Sequence, residues 1–374
     1  MKITNYSNAR SALIKLTLVL IAGCGGGGGG SSTGTAITAD STPPTLAAAP
    51  AIFPTNGATG AAYAAPVSFT ASEALSTASL KMTCDGVTVT GATAVAGAVV
   101  TFTPAAPGYA ANVNCTATVN AAQTKDLAGN AFIGNVTVTN FTVKALACTG
   151  TSVNSPPSFN GTTLIAACGN VFVDPTVAKN QYPVIVDGIS AAVMSNKTVY
   201  AVLQSTQPDV IVCNTPACGT YFAGASLRNV TLPANSFAGQ YVAPRSTVVL
   251  TSATYNRNTF VLAHEFSHVE AAARLNGKRV PAWFDEGLAT YIGGEPDCIN
   301  VTGKGIADLT TLDSVSVWTN YTATSPAFEK TYCQARTEVA AWIAKRGITA
   351  VSQLLQAVGQ GQTFTSQYGA MQTQ

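Results

Sequence analysis

Val261–Glu270 reads VLAHEFSHVE and carries both histidines of a 374-residue chain. His264 and His268 stand four residues apart, with Glu265 directly after the first. The surrounding NRNTFVLAHEFSHVEAAARLNGKRVP, residues 256–281, has the period of an amphipathic helix. Leu262, Phe266, Val269 and Ala273 recur at steps of four, three and four and form the stripe expected to be buried. Asn258 or Thr259 can cap its start, and Asn276-Gly277 can end it. On such a helix His264 and His268 lie one turn apart on another face, close enough to grip one ion.

This is an H-E-x-x-H pattern. Neutral imidazoles bind Zn²⁺ well, and two from one turn fix part of a tetrahedral shell. The carboxylate of Glu265 does not ligate. It takes a proton from zinc-bound water, whose pKa the metal lowers to about 7. A catalytic zinc needs a third protein ligand and one open position. Downstream, VPAWFDEGLATYIGG at residues 280–294 offers that ligand. Pro281 suits a first helical position and Gly293-Gly294 an end. Asp285 and Glu286 are the candidates, and successive helical residues point about 100° apart, so one of them faces the metal.

HEFSH followed by WFDEGLATY resembles the gluzincin metallopeptidases, zinc enzymes with two histidine ligands and one glutamate. The resemblance implies His264, His268 and Glu286 as ligands of one Zn²⁺ per chain and Glu265 as general base. It also implies an α+β, zincin-like domain that hydrolyses a peptide or protein substrate. FEKTYCQARTEVAAWIAKRG, residues 328–347, looks like the helix that follows in these enzymes. Their separate exopeptidase motif is missing, and the spacing to the glutamate differs from that of the best-known aminopeptidases. An oxyanion donor is commonly a tyrosine or histidine. With no histidine left, Tyr332, then Tyr291, or else Arg336 would serve; Tyr332 can equally be a packed aromatic. Asp285 either orients a ligand histidine or is exposed. Glu270 reads as a surface charge near a helix end. STVVLTSA, residues 246–253, is either an edge strand able to pair with an extended peptide or an internal one.

Charged residues make up 10% of the chain and the formal net charge is +2, too little for a nucleic-acid footprint. The length suits two domains behind a targeting segment. At the start, Lys2, Arg10 and Lys15 precede a short apolar run from Leu16 to Ala22, the layout of a secretory signal. It closes on IAGC, Ile21 to Cys24, which resembles the lipobox of bacterial lipoproteins. That resemblance implies a signal peptide at 1–23, lipidation of Cys24, and a membrane-anchored protein of the bacterial cell envelope. Glycine and serine then dominate a tether over 24–43.

Cys24 apart, eight of the nine cysteines remain. An even number in an exported chain suggests disulfides; sequence does not fix the connectivity, but neighbours within domains suggest Cys84 with Cys115, Cys148 with Cys168, Cys213 with Cys218 (or, for that last pair, half a metal knuckle), and Cys298 with Cys333. Residues 44–147 read as short alternating strands of an all-β sandwich: Val67 and Phe69 on one face, then Val99, Thr101 and Thr103 against Val100, Phe102 and Pro104, then Val113, Cys115, Ala117 and Val119. PTNGATGAAYAAPVSFTASEAL, VVTFTPAAPGYAANVNCTATVNA and KDLAGN resemble the bacterial Ig-like domains that serve as spacers or adhesive modules. Residues 148–374 form the second domain. NVFVD, PVIVDGI, TVYAVLQS, DVIVC and STVVLTSA read as its strands, with helices after them. A different class of function, a degenerate or non-peptide-hydrolysing zinc protein that acts as a binding or adhesion module, is opposed by the intact Glu265.

Overall fold

The computed structural model describes residues 40–148, 155–225, 229–251, 258–299 and 301–370. The segments expected to be signal peptide, lipidated Cys24 and tether lie, up to residue 39, outside the described residues. No helix among the described residues is long and apolar enough to cross a membrane.

Ten strands build the N-terminal part: β1 (Ala58–Ala61), β2 (Val67–Thr70), β3 (Leu75–Thr77), β4 (Leu80–Cys84), β5 (Val87–Thr88), β6 (Gly91–Ala96), β7 (Val99–Pro104), β8 (Asn114–Val119), β9 (Lys125–Asp126) and β10 (Thr137–Val143). One sheet runs β1-β10-β8-β4-β5 and a second β2-β7-β6, with β3 and β9 paired separately. Alternation decides what is buried. Val67 and Phe69 of β2 meet Val100 and Phe102 of β7, and Met82, Cys115, Ala117, Val119, Phe141 and Val143 complete one apolar core. Cys84 and Cys115 are register partners in β4 and β8, so their disulfide staples neighbouring strands of a single sheet. In KDLAGN, the Asp126 carboxylate accepts from the Asn130 backbone at 2.8 Å and from its amide at 2.8 Å, closing a turn.

The C-terminal part begins with β11 (Ser158–Phe159), β12 (Thr162–Thr163), β13 (Ile165–Cys168) and β14 (Val171–Val173). Then follow α1 (Tyr182–Tyr200), β15 (Asp209–Val212), α2 (Pro216–Ala223), β16 (Val230–Leu232), β17 (Phe237–Ala238), β18 (Tyr241–Val242) and β19 (Thr247–Leu250). Six helices close the chain: α3 (Asn258–Leu275), α4 (Ala282–Gly293), α5 (Val315–Thr324), α6 (Phe328–Arg346), α7 (Thr349–Gly359) and α8 (Phe364–Ala370). The sheet order is β13-β14-β15-β19-β16, with β14, β15 and β19 parallel and both outer strands antiparallel. Both faces are covered, as a parallel centre requires. Val173, Val212 and Leu250 pack into the core shared with α1 and α3. Phe172, Ile211 and Val249 pack on the opposite side with Phe222 of α2.

Two segments expected as strands are helical. PVIVDGI opens α1 and TVYAVLQS begins as its last turn. Ile185, Ile189, Ala192, Asn196 and Val199 are buried at steps of four and three, a helical stripe that neither short apolar run displays alone. Hence strands do not all precede helices: β14, α1 and β15 form a crossover unit of parallel strands. β19 lies inside the sheet, and β16 is the edge beside it. The paired cysteines are those expected from neighbours: Cys148 with Cys168, Cys213 with Cys218, and Cys298 with Cys333 join Cys84 with Cys115.

Candidate metal centre

α3 lies at the middle of the helical layer, against α1, α4 and α7. Leu262, Phe266 and Val269 are buried as expected, whereas Ala273 is exposed, because α1 and α4 grip the helix from two sides and turn its buried surface away from that residue. The helix ends where Asn276 and Gly277 take φ of 45° and 77°. Pro281 stands one residue before α4, as its cap, and Gly294 closes α4 at φ 67°.

Glycine sets how α4 is placed. A Cβ on Gly287 would lie 2.6 Å from the Ala335 carbonyl oxygen of α6. One on Gly293 would lie 2.8 Å from the Phe260 oxygen of α3 and 3.4 Å from His264 Cβ. Both contacts are backbone-close, so α4 is wedged between α3 and α6 by its two bare positions. Glu286 therefore arrives against the two histidines.

His264 Nε2 is 3.2 Å from His268 Nε2 and 3.3 Å from Glu286 Oε2, and His268 Nε2 is 3.8 Å from the same oxygen. Three donors from two helices so converge. Ligands about 2.0–2.1 Å from a tetrahedral zinc stand about 3.4 Å apart, and the observed spacings bracket that value. The donor set, two imidazoles and a carboxylate, fits such an ion.

Asp285 resolves between its two readings: Oδ2 is 3.1 Å from His268 Nδ1. With Nδ1–H donating to that carboxylate, the Nε2 lone pair of His268 is left for the gap. In the metal-free site burial works against charge on His268, but Asp285, with Glu286 and Glu265 nearby, pushes its pKa up to about 10, so a metal ion would have to displace the Nε2 proton to bind. Burial tends to raise Asp285 in turn, and His268, His264 and Arg279 hold it below its ordinary value. Asp285→Asn is expected to weaken metal affinity by about 10- to 100-fold while leaving the fold intact, measured by competition with a chromophoric chelator.

Glu265 is buried beside the histidines, and its Oε2 accepts from Thr231 Oγ1 at 2.6 Å. The Tyr332 ring centre is 6.3 Å from that of His264, and its hydroxyl accepts from Trp318 Nε1 at 3.1 Å. Cys333, next to it, is tied to Cys298 just beyond α4. Tyr291 packs against the helical core, and Arg336, one turn beyond Tyr332, has a buried Nε without a hydrogen-bond partner among the described residues.

Glu270 is not a surface charge. It is 1% exposed, pairs with Arg274 and accepts from Gln204 N at 2.5 Å, Ser205 N at 3.1 Å and Ser205 Oγ at 2.5 Å. Arg274 donates to the Val202 carbonyl at 2.7 Å and stacks its guanidinium 4.5 Å from the Tyr200 ring centre. The reason is topological: the end of α1 and the turn after it fold over this flank of α3. Only the i,i+4 spacing of Glu270 and Arg274 was a local signal of that brace; its other partners, and those of Thr231, are dozens of residues away.

Residues 40–143 match the family model described as bacterial Ig-like domain, and the ten-stranded N-terminal part is such a domain. No curated protein matches the chain. Among solved structures, an LD transpeptidase in complex with imipenem aligns at 19% identity with a TM-score of 0.18, covering 27% of this chain and 40% of that one. A polysaccharide lyase aligns at 12% identity with a TM-score of 0.16, covering 86% of this chain and 46% of that one. The chain spans less than half the length of either structure, and likenesses this faint say nothing of the fold or chemistry of residues 148–374.

Proposed function

We propose that residues 148–374 form an α+β zinc metallopeptidase domain, lipid-anchored through Cys24 in a bacterial cell envelope, facing the periplasm or the cell surface, with the Ig-like domain as its spacer. The observation that carries this reading is the convergence of His264, His268 and Glu286, with Glu265 beside them. A zinc ion held there would polarise a substrate carbonyl and make water acidic enough to deprotonate near neutral pH. His264, His268 and Glu286 would hold the ion, and Asp285 would keep the proton of His268 on Nδ1. Glu265 takes the proton of the attacking water at its carboxylate and can return it to the leaving amine. Tyr332, whose ring centre is 6.3 Å from that of His264 and whose hydroxyl accepts from Trp318, is the candidate donor to the developing oxyanion. β16, an outer strand, offers main-chain groups to an extended peptide, the role that STVVLTSA would have filled at an edge.

The test is cleavage of a diverse peptide library by the purified protein, zinc-loaded and with chelator. Cuts that vanish with chelator and return with zinc support the reading; a zinc-loaded protein that cuts nothing contradicts it. Glu286→Ala is expected to lose both zinc and cleavage, because two imidazoles alone leave the shell open on two sides; metal analysis after dialysis checks it.

A further inference from the structure

β16 is three residues long, and its middle side chain reaches α3. Thr231 Oγ1 lies 2.6 Å from Glu265 Oε2 and 3.1 Å from the Glu265 backbone oxygen. A hydroxyl has one proton to give, and the ionised carboxylate is both the closer and the stronger acceptor. Thr231 is itself held in place, since it pairs in register with Val248 of β19, an interior strand buried on both faces. The bond therefore ties a mobile three-torsion side chain to a rigid sheet. Thr231 occupies one carboxylate oxygen, and the other is the one that would move the proton.

We propose that Thr231 is a positioning residue for the base, coupling the Glu265 carboxylate to the outer strand along which an extended substrate would lie. This rests on the peptidase reading above. The strand that would receive the peptide and the base that would act on it are then held in one fixed relation, because the same residue belongs to both.

The experiment compares Thr231→Val, which removes the hydroxyl at nearly constant volume, with Thr231→Ser, which keeps it. Using a library peptide that the wild type cleaves, Thr231→Val is expected to lower kcat about tenfold with KM and zinc content unchanged, and Thr231→Ser to restore most of the loss. On a Glu265→Gln background, Thr231→Val is expected to cost nothing further. An unchanged kcat in Thr231→Val overturns the proposal, as does a Thr231→Ser variant as slow as the valine one. A wild type that binds zinc yet cleaves nothing defeats the peptidase reading instead. The coupling is then read from thermal unfolding of the metal-free Thr231→Val, Glu265→Ala and doubly substituted proteins. Losses in melting temperature that simply add overturn the link, and a double variant that loses less than the sum sustains it.

Discussion

Glu265→Gln is expected to keep its zinc and to cleave peptide about a thousandfold more slowly than the wild type. Glutamine has nearly the same shape, and its amide oxygen can still accept from Thr231, so the helix and the three donors stay as they are. What disappears is basicity. An amide cannot take up a proton near neutral pH, and a positioned general base contributes roughly 10²–10⁴ in rate. The loss is expected in kcat, with KM little changed, because Glu265 acts on the attacking water and not on the bound chain. Equal metal content by elemental analysis beside a collapsed kcat is the signature. A variant that cleaves at the wild-type rate removes Glu265 from the chemistry and leaves the residue a buried acid held by a threonine.

Glu270→Ala is expected to lower stability by about 3–5 kcal/mol, seen as a fall in melting temperature of roughly 10 °C. The alanine strands Arg274, which is 5% exposed, in a pocket built to neutralise it, and it unties the turn at Gln204 and Ser205. Most of the cost is the cation left unpaired, so Glu270→Ala with Arg274→Met is expected to be less damaging than Glu270→Ala alone. The pH dependence has a definite sign. Burial tends to raise the Glu270 pKa, but the backbone of Gln204, with Ser205 and Arg274, outweighs it and holds the folded value below the ordinary 4.5. The folded state thus binds this proton less readily than the unfolded one. Its contribution is complete above the unfolded value and fades as pH falls through the depressed folded value. Acid unfolding of the wild type is expected to lose this component, and the alanine variant is expected to show a shallower acid limb. Unfolding followed at pH 7 and pH 3 checks both statements.

The histidine stretch was legible because its information is local. Two ligands and a base lie within one turn and a half of an 18-residue helix that carries its own apolar stripe and is followed directly by its stop signal, Asn276-Gly277. Glu286 was half legible: spacing nominated two adjacent carboxylates, and packing at Gly287 and Gly293 decided between them. The Ig-like strands were legible by alternation, since Val67 and Phe69, like Val100 and Phe102, face one core. α1 was not, because its apolar runs are each shorter than two helical turns and strand-like in composition. Glu270 and Thr231 were not, because what makes them matter is long-range. One is met by a turn 65 residues earlier, and the other meets the base across 34 residues of chain. Periodicity reports which face of an element is buried; it does not report what comes to cover a polar residue.

The measurement that bears most directly on the account is zinc stoichiometry with ligand identification. The purified protein, stripped of metal and titrated with Zn²⁺, is expected to take up one ion per chain. X-ray absorption is expected to show a nitrogen and oxygen shell at about 2.0–2.1 Å with two imidazole contributions and no sulfur, and His264→Ala and His268→Ala are each expected to lose the ion. No uptake, or a metal held by sulfur and unaffected by His264→Ala and His268→Ala, would contradict the centre described here.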